Sequence, residues 1–356
     1  MKLTDKPAQA NRPQTPKPPF PYEEESVSYQ IAPGGVTLAG TLTLPTGKGP
    51  FSAVILITGS GAHDRDETIF EHKPFLVLAD ALTRRGIAVL RLDDRGVGGS
   101  TGNKMTLTTE DLAGDVLTGV TFLKNRSEID GRRIGLIGHS EGGVIAPIAA
   151  TRSNDVAFVV LMAGTGLPGD EIVQMQTRLI YKAAGLDGPT LDRLLEFQRQ
   201  VLAINKAEND DQAAMTKIDA ASKEFQASLT DSERKVLGFG EQSYSAKIKD
   251  YRSPWFRFFQ SYDPRPTLAK VRCPVLALIG EKDLQVPPKE NLAEIEAMFK
   301  KAGNIHATVK ELPALNHLFQ NCKTGAPAEY AQIEETIAPS ALTAIGDWIV
   351  QQTAAK

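Results

Sequence analysis

The feature that most restricts the fold of this chain is a rhythm. Short, continuously apolar runs alternate with longer amphipathic stretches over most of its 356 residues. The runs Ala53–Ile57, Ile87–Leu92, Arg133–Ile137, Val156–Met162, Val275–Ile279 and Ala307–Leu312 have the character of strands buried on both faces of a parallel sheet. Between them lie the helical patterns Lys73–Arg85, Thr109–Asn125, Glu141–Arg152, Pro288–Lys301 and Pro339–Gln352. Strand and helix in alternation predict a doubly wound α/β architecture. Ser26–Ala32 and Val36–Leu44 instead alternate around Pro33-Gly34-Gly35, which predicts an antiparallel hairpin at the start. The expected sheet is mostly parallel, of about eight strands, flanked by helices.

One interval breaks the rhythm. From Pro168 to Tyr262 there is no strand-like run, only helical periodicity such as Leu191, Leu194, Leu195, Phe197 and Val201. The expected layout is therefore an extended proline-rich tail over 1–25, a sheet core over 26–167 and 263–356, and a helical cap inserted at 168–262.

Charge and composition remove several function classes. Forty Lys and Arg against forty-three Asp and Glu leave a net charge of -3. Nucleic acid as a partner would call for a basic surplus. The longest apolar runs fall far short of the ~20 residues that span a bilayer, so no membrane span is expected. Two cysteines, Cys273 and Cys322, are too few for a disulfide framework or a cysteine zinc site. They fall near opposite ends of the sheet and are expected as free thiols. Pro7, Pro13, Pro16, Pro18, Pro19 and Pro21 make the start extended and mostly unpacked. No apolar signal-peptide stretch is expected there. Trimming of a secretory leader would leave such a tail, giving a periplasmic or secreted protein; otherwise the chain is cytoplasmic. Compartment and oligomeric state stay open.

The chemistry begins at Gly138-His139-Ser140-Glu141-Gly142. A nucleophile elbow places its serine on a sharp turn between a strand and a helix, with the hydroxyl exposed. Small flanking residues are required where the two elements cross. Ser140 has Arg133–Ile137 before it and the apolar stretch Val144–Ala150 after it. A second Gly-x-Ser-x-Gly, Gly98–Gly102 around Ser100, has neither flank. Ser140 is therefore the expected nucleophile, against a plain structural turn.

A serine hydroxyl needs a base, and the base needs an orienting acid. On this architecture the chain order is serine, acid, histidine, each at the carboxyl end of a strand. Asp283 follows Val275–Ile279 and His317 follows Ala307–Leu312, matching order and placement. Of the five histidines, His63 remains the alternative base, and Glu281 the alternative acid. His139 is read as a packing residue, His72 opens a helix, and His306 sits at the wrong end of its strand. Backbone N–H groups of Glu141, at a helix start, and of Ser60 or its neighbour Gly61 are the expected oxyanion donors.

Thr58-Gly-Ser-Gly61, Asp64-Arg-Asp-Glu67, Asp93-Asp-Arg-Gly96, Gly138-His-Ser-Glu-Gly142 and Leu315-Asn-His-Leu-Phe319 together resemble the EstD-type bacterial carboxylesterases of the α/β-hydrolase superfamily. The resemblance runs from about Ser26 to Ile349. It implies the α/β-hydrolase fold and cleavage of short-chain carboxylic esters by Ser140, Asp283 and His317, with no metal and no cofactor. The expected partner is a small-molecule ester. An additional amino-terminal domain of such enzymes is expected to be missing here, so a preference for substrate size does not carry over.

Two further groups have competing readings. Asp64, Arg65, Asp66, Asp94 and Arg95 either bind substrate or brace the loops, and bracing is favoured. Trp255, Phe256 and Phe259, with His63, either wall an acyl pocket or, for the aromatics, form simple core of the cap. Two other activities fit the same elements. One is a peptidase or amidase on the same triad, though no acidic cluster for a free amino group is evident. The other is a non-catalytic binding module, which a complete triad disfavours.

Overall fold

A computed structural model of the protein describes residues 11–31, 34–237 and 250–354. Eight strands form one sheet: β1 (Tyr22–Ile31), β2 (Val36–Pro45), β3 (Phe51–Ile57), β4 (Ile87–Leu92), β5 (Ile129–His139), β6 (Phe158–Met162), β7 (Val275–Gly280) and β8 (Ala307–Leu312). Their order is β1-β2-β4-β3-β5-β6-β7-β8. β2 is antiparallel to both β1 and β4, and every other pair is parallel.

Helices α1 (Pro74–Thr83), α2 (Thr109–Lys124) and α3 (Gly142–Arg152) connect the first parallel strands. After β6 come α4 (Gly169–Ala183), α5 (Gly188–Ala207), α6 (Asp211–Ala227), α7 (Asp231–Leu237) and α8 (Pro254–Ser261). The sheet then resumes, with α9 (Pro288–Ala302) after β7 and α10 (Pro339–Thr353) after β8.

Side chains alternate along each strand, so each central strand feeds two cores. Val54 and Leu56 of β3 face Phe75, Leu78 and Leu82 of α1, with Ile345 and Ile349 of α10 in the same cluster. Ile55 faces the opposite way, in a cluster with Leu112 and Val116 of α2, Ile145 of α3 and Phe299 of α9. Burial on both faces explains why these strands are continuously apolar in sequence. Full burial of each such side chain stabilises the fold by roughly 1.5–3 kcal/mol.

The helices after β6 carry a separate core. Leu191, Leu194, Leu195, Phe197 and Val201 of α5 meet Ile218, Ala221 and Phe225 of α6. Phe197 and Phe225 stack with ring centroids 4.6 Å apart. Among the described residues no helix is long and apolar enough to cross a membrane.

The start of the chain differs from the expectation. β1 already begins at Tyr22, and the run Glu23-Glu24-Glu25 lies inside it. Its charged side chains belong to an edge strand, where charge discourages pairing with another chain and hides the strand from a hydropathy pattern. The described part of the proline-rich segment is not unpacked either. The Arg12 guanidinium donates to the Ile333, Phe70 and Ala331 carbonyls at 3.0, 2.8 and 2.9 Å. Gln14 donates to the Ile337 carbonyl at 2.7 Å. Two side-chain anchors thus hold a stretch whose prolines leave few backbone donors. Pro7, and Ala32 and Pro33 of the expected hairpin turn, lie outside the described residues.

Candidate active site

β5 runs directly into Ser140, and α3 leaves from it. Ser140 has φ +53°, a left-handed conformation that costs a non-glycine residue of order 1–3 kcal/mol. The turn is held by its N–H, which donates to the Met162 carbonyl at 2.8 Å. A Cβ on Gly138 would lie 2.0 Å from the Gly142 carbonyl oxygen, and one on Gly142 would lie 2.2 Å from that of Ile57. The crossing of strand and helix therefore admits no side chain at either position. Ser100, by contrast, is buried and spends its hydroxyl on the Asp93 carbonyl at 2.8 Å.

The loops after β7 and β8 bring Asp283 and His317 together. Asp283 Oδ2 accepts from His317 Nδ1 at 2.7 Å, with the two residues only 2% and 4% exposed. Asp283 Oδ1 accepts the Gln285 and Val286 amides at 2.8 Å each. The remaining His317 nitrogen is Nε2, and His317 and Ser140 line one cavity. Among the described residues no hydrogen bond links those two side chains; such contacts commonly tighten when substrate binds. The alternatives are engaged elsewhere. Glu281 accepts the Ala314 amide at 2.7 Å, and His63 Nε2 lies 2.8 Å from the Ser60 carbonyl.

The loop after β3 presses on the elbow: a Cβ on Gly59 would sit 3.3 Å from Ser140 Cβ. Among the described residues the Ser60 and Glu141 amides have no backbone acceptor, and Gly61 turns the chain away with φ +98°. Buried Lys104 donates to the Gly59 carbonyl at 3.1 Å and to Asp94 at 2.9 Å. Asp94 also accepts the Thr58 hydroxyl at 3.0 Å and the His63 amide at 2.8 Å. Arg65 pairs with Asp93 at 2.6 Å, Arg95 with Asp115 at 2.5 Å, and Asp66 with Arg91. None of Asp64, Arg65, Asp66, Asp94 or Arg95 lines the cavity. They brace.

That cavity measures about 320 Å³ and lies between the carboxyl ends of the strands and the helices after β6. His63, Trp255, Phe256 and Phe259 all line it. Trp255 of α8 also donates its indole N–H to Glu141 Oε1 at 2.7 Å, an oxygen that accepts the Thr109 hydroxyl at 2.7 Å as well. Ile172, Val173 and Gln176 of α4 complete the roof, and no sequence signal distinguished them from ordinary helix residues. Among the described residues no cluster of histidine, cysteine and carboxylate is placed to hold a metal ion, and both cysteines are free.

Glu67 and His139 were not recognisable as a pair, since nothing in their spacing relates them. Buried Glu67 takes the Gly59 amide at 2.7 Å and His139 Nδ1 at 3.0 Å on one oxygen, Oε1. His139 Nε2 meets the His317 carbonyl at 3.0 Å. Burial alone would push the Glu67 carboxyl up, but the charge and hydrogen bond of His139 and the Gly59 amide outweigh it and hold it below the ordinary range. Burial would likewise push His139 down, yet Glu67 and the His317 carbonyl raise it.

Comparison with known proteins bears on the fold. Residues 54–333 match the model of the alpha/beta hydrolase family. Esterase EstD of Thermotoga maritima is 28% identical over 314 residues, 88% of this chain and 64% of that protein. The chain thus spans just under two thirds of that relative. An uncharacterised 31.7 kDa protein of Escherichia coli is 27% identical over 222 residues, covering 62% of this chain and 71% of its own. Among solved structures, an esterase of Pyrococcus furiosus superimposes with a TM-score of 0.54 at 16% identity, over 98% of this chain and 99% of that one. Est1E of Butyrivibrio proteoclasticus, solved with ferulic acid bound, gives 0.53 at 17% identity over 90% and 98%. At such identities the structural likeness is one of fold. Sheet order, elbow and a family match covering most of the sequence lead to one assignment: the chain belongs to the alpha/beta hydrolase family.

Proposed function

We propose that this chain is a serine hydrolase that cleaves short-chain carboxylic esters through Ser140, His317 and Asp283, by way of an acyl-enzyme. The observation that carries the proposal is the 2.7 Å bond between Asp283 and His317, beside a strained serine in the same cavity. With Nδ1–H given to Asp283, the lone pair of His317 lies on Nε2. That nitrogen takes the Ser140 proton as Oγ attacks the ester carbonyl carbon, and Asp283 stabilises the imidazolium that forms. Charge on the carbonyl oxygen is met by the Glu141 and Ser60 amides, with Gly61 as the neighbouring donor. His317 then returns its proton to the leaving alcohol. Water, deprotonated by the same nitrogen, attacks the acyl carbonyl. His317 returns that proton to Ser140 Oγ as the acyl–oxygen bond breaks, freeing the acid and restoring the serine.

Residues 168–262 serve as the cap, and His63, Trp255, Phe256 and Phe259 as walls of the acyl pocket. A volume of about 320 Å³ is at the small end of the roughly 300–1,000 Å³ of ligand pockets, which favours short acyl groups. The names of the relatives, esterases in both sequence and structure, support the ester rather than the amide reading. The test is a panel of p-nitrophenyl esters of increasing acyl length, run on the wild type and on Ser140→Ala. Activity greatest at acetate or butyrate and lost with Ser140→Ala is expected, together with Ser140-dependent labelling by a fluorophosphonate. Labelling that persists in Ser140→Ala, or none in the wild type, overturns the proposal.

A further inference from the structure

A neutral imidazole has one N–H and one lone pair. His139 presents its two ring nitrogens to two acceptors, the Glu67 carboxylate at 3.0 Å and the His317 carbonyl at 3.0 Å. A carbonyl oxygen cannot donate, so Nε2 must. Glu67 is held in its ionised form by the Gly59 amide on the same oxygen and by the charge of His139. A carboxylate cannot donate either, so Nδ1 must as well. Beside that anion only the imidazolium satisfies both contacts. Its counter-ion is 4% exposed and has φ +51°, a backbone conformation that a glutamate adopts only when its surroundings hold it there.

From these contacts we propose that Glu67 and His139 form a permanently ionised positioning pair, which holds the oxyanion loop and the triad histidine in register with one another. The proposal rests on the hydrolase reading above. Through Glu67 Oε1 the pair grips the Gly59 amide, one residue before the Ser60 donor. Through Nε2 it grips the backbone of His317 itself. One buried ion pair therefore joins two loops that must be aligned to within a fraction of an ångström for the reaction. The other ionisable groups that face it are His63, beside Glu67 on the loop after β3, and Asp283 and His317, beside His139 on the loops after β7 and β8. His139 and His317 stand with ring centroids 5.0 Å apart.

Glu67→Gln separates this role from simple packing. The amide oxygen still accepts the Gly59 N–H, but the anion that keeps His139 charged is gone. Burial then pushes His139 to its neutral form, which keeps only one of its two contacts. The expected result is a kcat about tenfold or more below the wild type at pH 7 to 8.5, with KM within threefold. A kcat within twofold of the wild type at pH 8, or a loss carried by KM alone, overturns the proposal. A readout on the wild type stands apart from both folding of the variant and esterase activity. Nitrogen-15 NMR of the His139 ring is expected to show two protonated nitrogens at pH 8. A neutral ring at pH 7 overturns the proposal, whatever the enzyme hydrolyses. Failure of Ser140-dependent labelling with an ionised His139 instead overturns the hydrolase reading alone.

Discussion

Asp283→Asn is the sharpest probe of the proposed mechanism, because the structure dictates which way the new amide must face. Asp283 Oδ1 accepts two backbone amides, Gln285 and Val286, at 2.8 Å each, and Oδ2 faces His317. An asparagine that kept its oxygen on the two amides would turn its NH₂ toward Nδ1 of His317. The flipped alternative would set NH₂ against two N–H donors and leave both unpaired, at about 1–3 kcal/mol each. The first orientation wins by a wide margin. Nδ1 must then accept, the ring proton moves to Nε2, and the nitrogen facing Ser140 has no lone pair. A wrong tautomer of this kind costs about 10⁴-fold in kcat in an analogous triad, or about 5.4 kcal/mol at 1.36 kcal/mol per decade. Stability is expected to change little, since both backbone contacts survive. Asp283→Ala, by contrast, strands the two amides and is expected to lose about 2–6 kcal/mol as well. The assay is kcat/KM on p-nitrophenyl butyrate, with melting curves alongside. A Asp283→Asn enzyme of unchanged melting temperature and kcat within tenfold of the wild type refutes the reasoning.

Three further outcomes are expected. Trp255→Phe removes the indole bond to Glu141, a charge-assisted contact of about 1.5–3 kcal/mol, and is expected to raise KM several-fold with a smaller change in kcat; an unchanged KM shows that the helix does not depend on this contact. Gly142→Ala would place a Cβ 2.2 Å from the Ile57 carbonyl oxygen and is expected to give no soluble protein with wild-type melting behaviour, as measured by yield and calorimetry. The Glu67–His139 pair predicts a bell in stability. Glu67, lowered from 4.5, contributes above its unfolded pKa and loses that contribution as pH falls through its folded value. His139, raised from 6.5, contributes below its unfolded pKa and loses it as pH rises through its folded value. The stability difference between wild type and Glu67→Gln in urea is therefore expected to be greatest between those two folded values and to shrink at both ends; a difference independent of pH contradicts it.

How much of this was legible in the sequence follows from where each signal comes from. β3 to β7 declare themselves because burial on both faces forces unbroken apolar runs such as Ala53–Ile57. Edge strand β1 carries three successive glutamates near its start, and hydropathy has no means of separating such a strand from a polar tail. Asp283 and His317 were accessible because chain order and strand ends constrain them. Ile172 and Val173 were not, since an apolar helix residue facing a cavity has the same periodicity as one facing a core. Glu67 was visible as part of a charged string, but its partner is 72 positions away. Its importance lies in that contact alone.

The same contrast explains the density of charge behind the proposed oxyanion loop. Both backbone groups of Gly59 are occupied, the N–H by Glu67 and the carbonyl by Lys104. Thr58 on one side is held by Asp94, and so is His63 on the other. In the middle of these fixed groups the Ser60 amide has no backbone partner. A donor surrounded by restrained neighbours needs little reorganisation when charge appears on a substrate oxygen, and that absence of reorganisation is the main source of electrostatic catalysis. On the proposed mechanism the charged strings near the site act without touching substrate, by fixing the residues on either side of the Ser60 amide. Loosening any of these braces is expected to reduce kcat before it changes what the cavity binds.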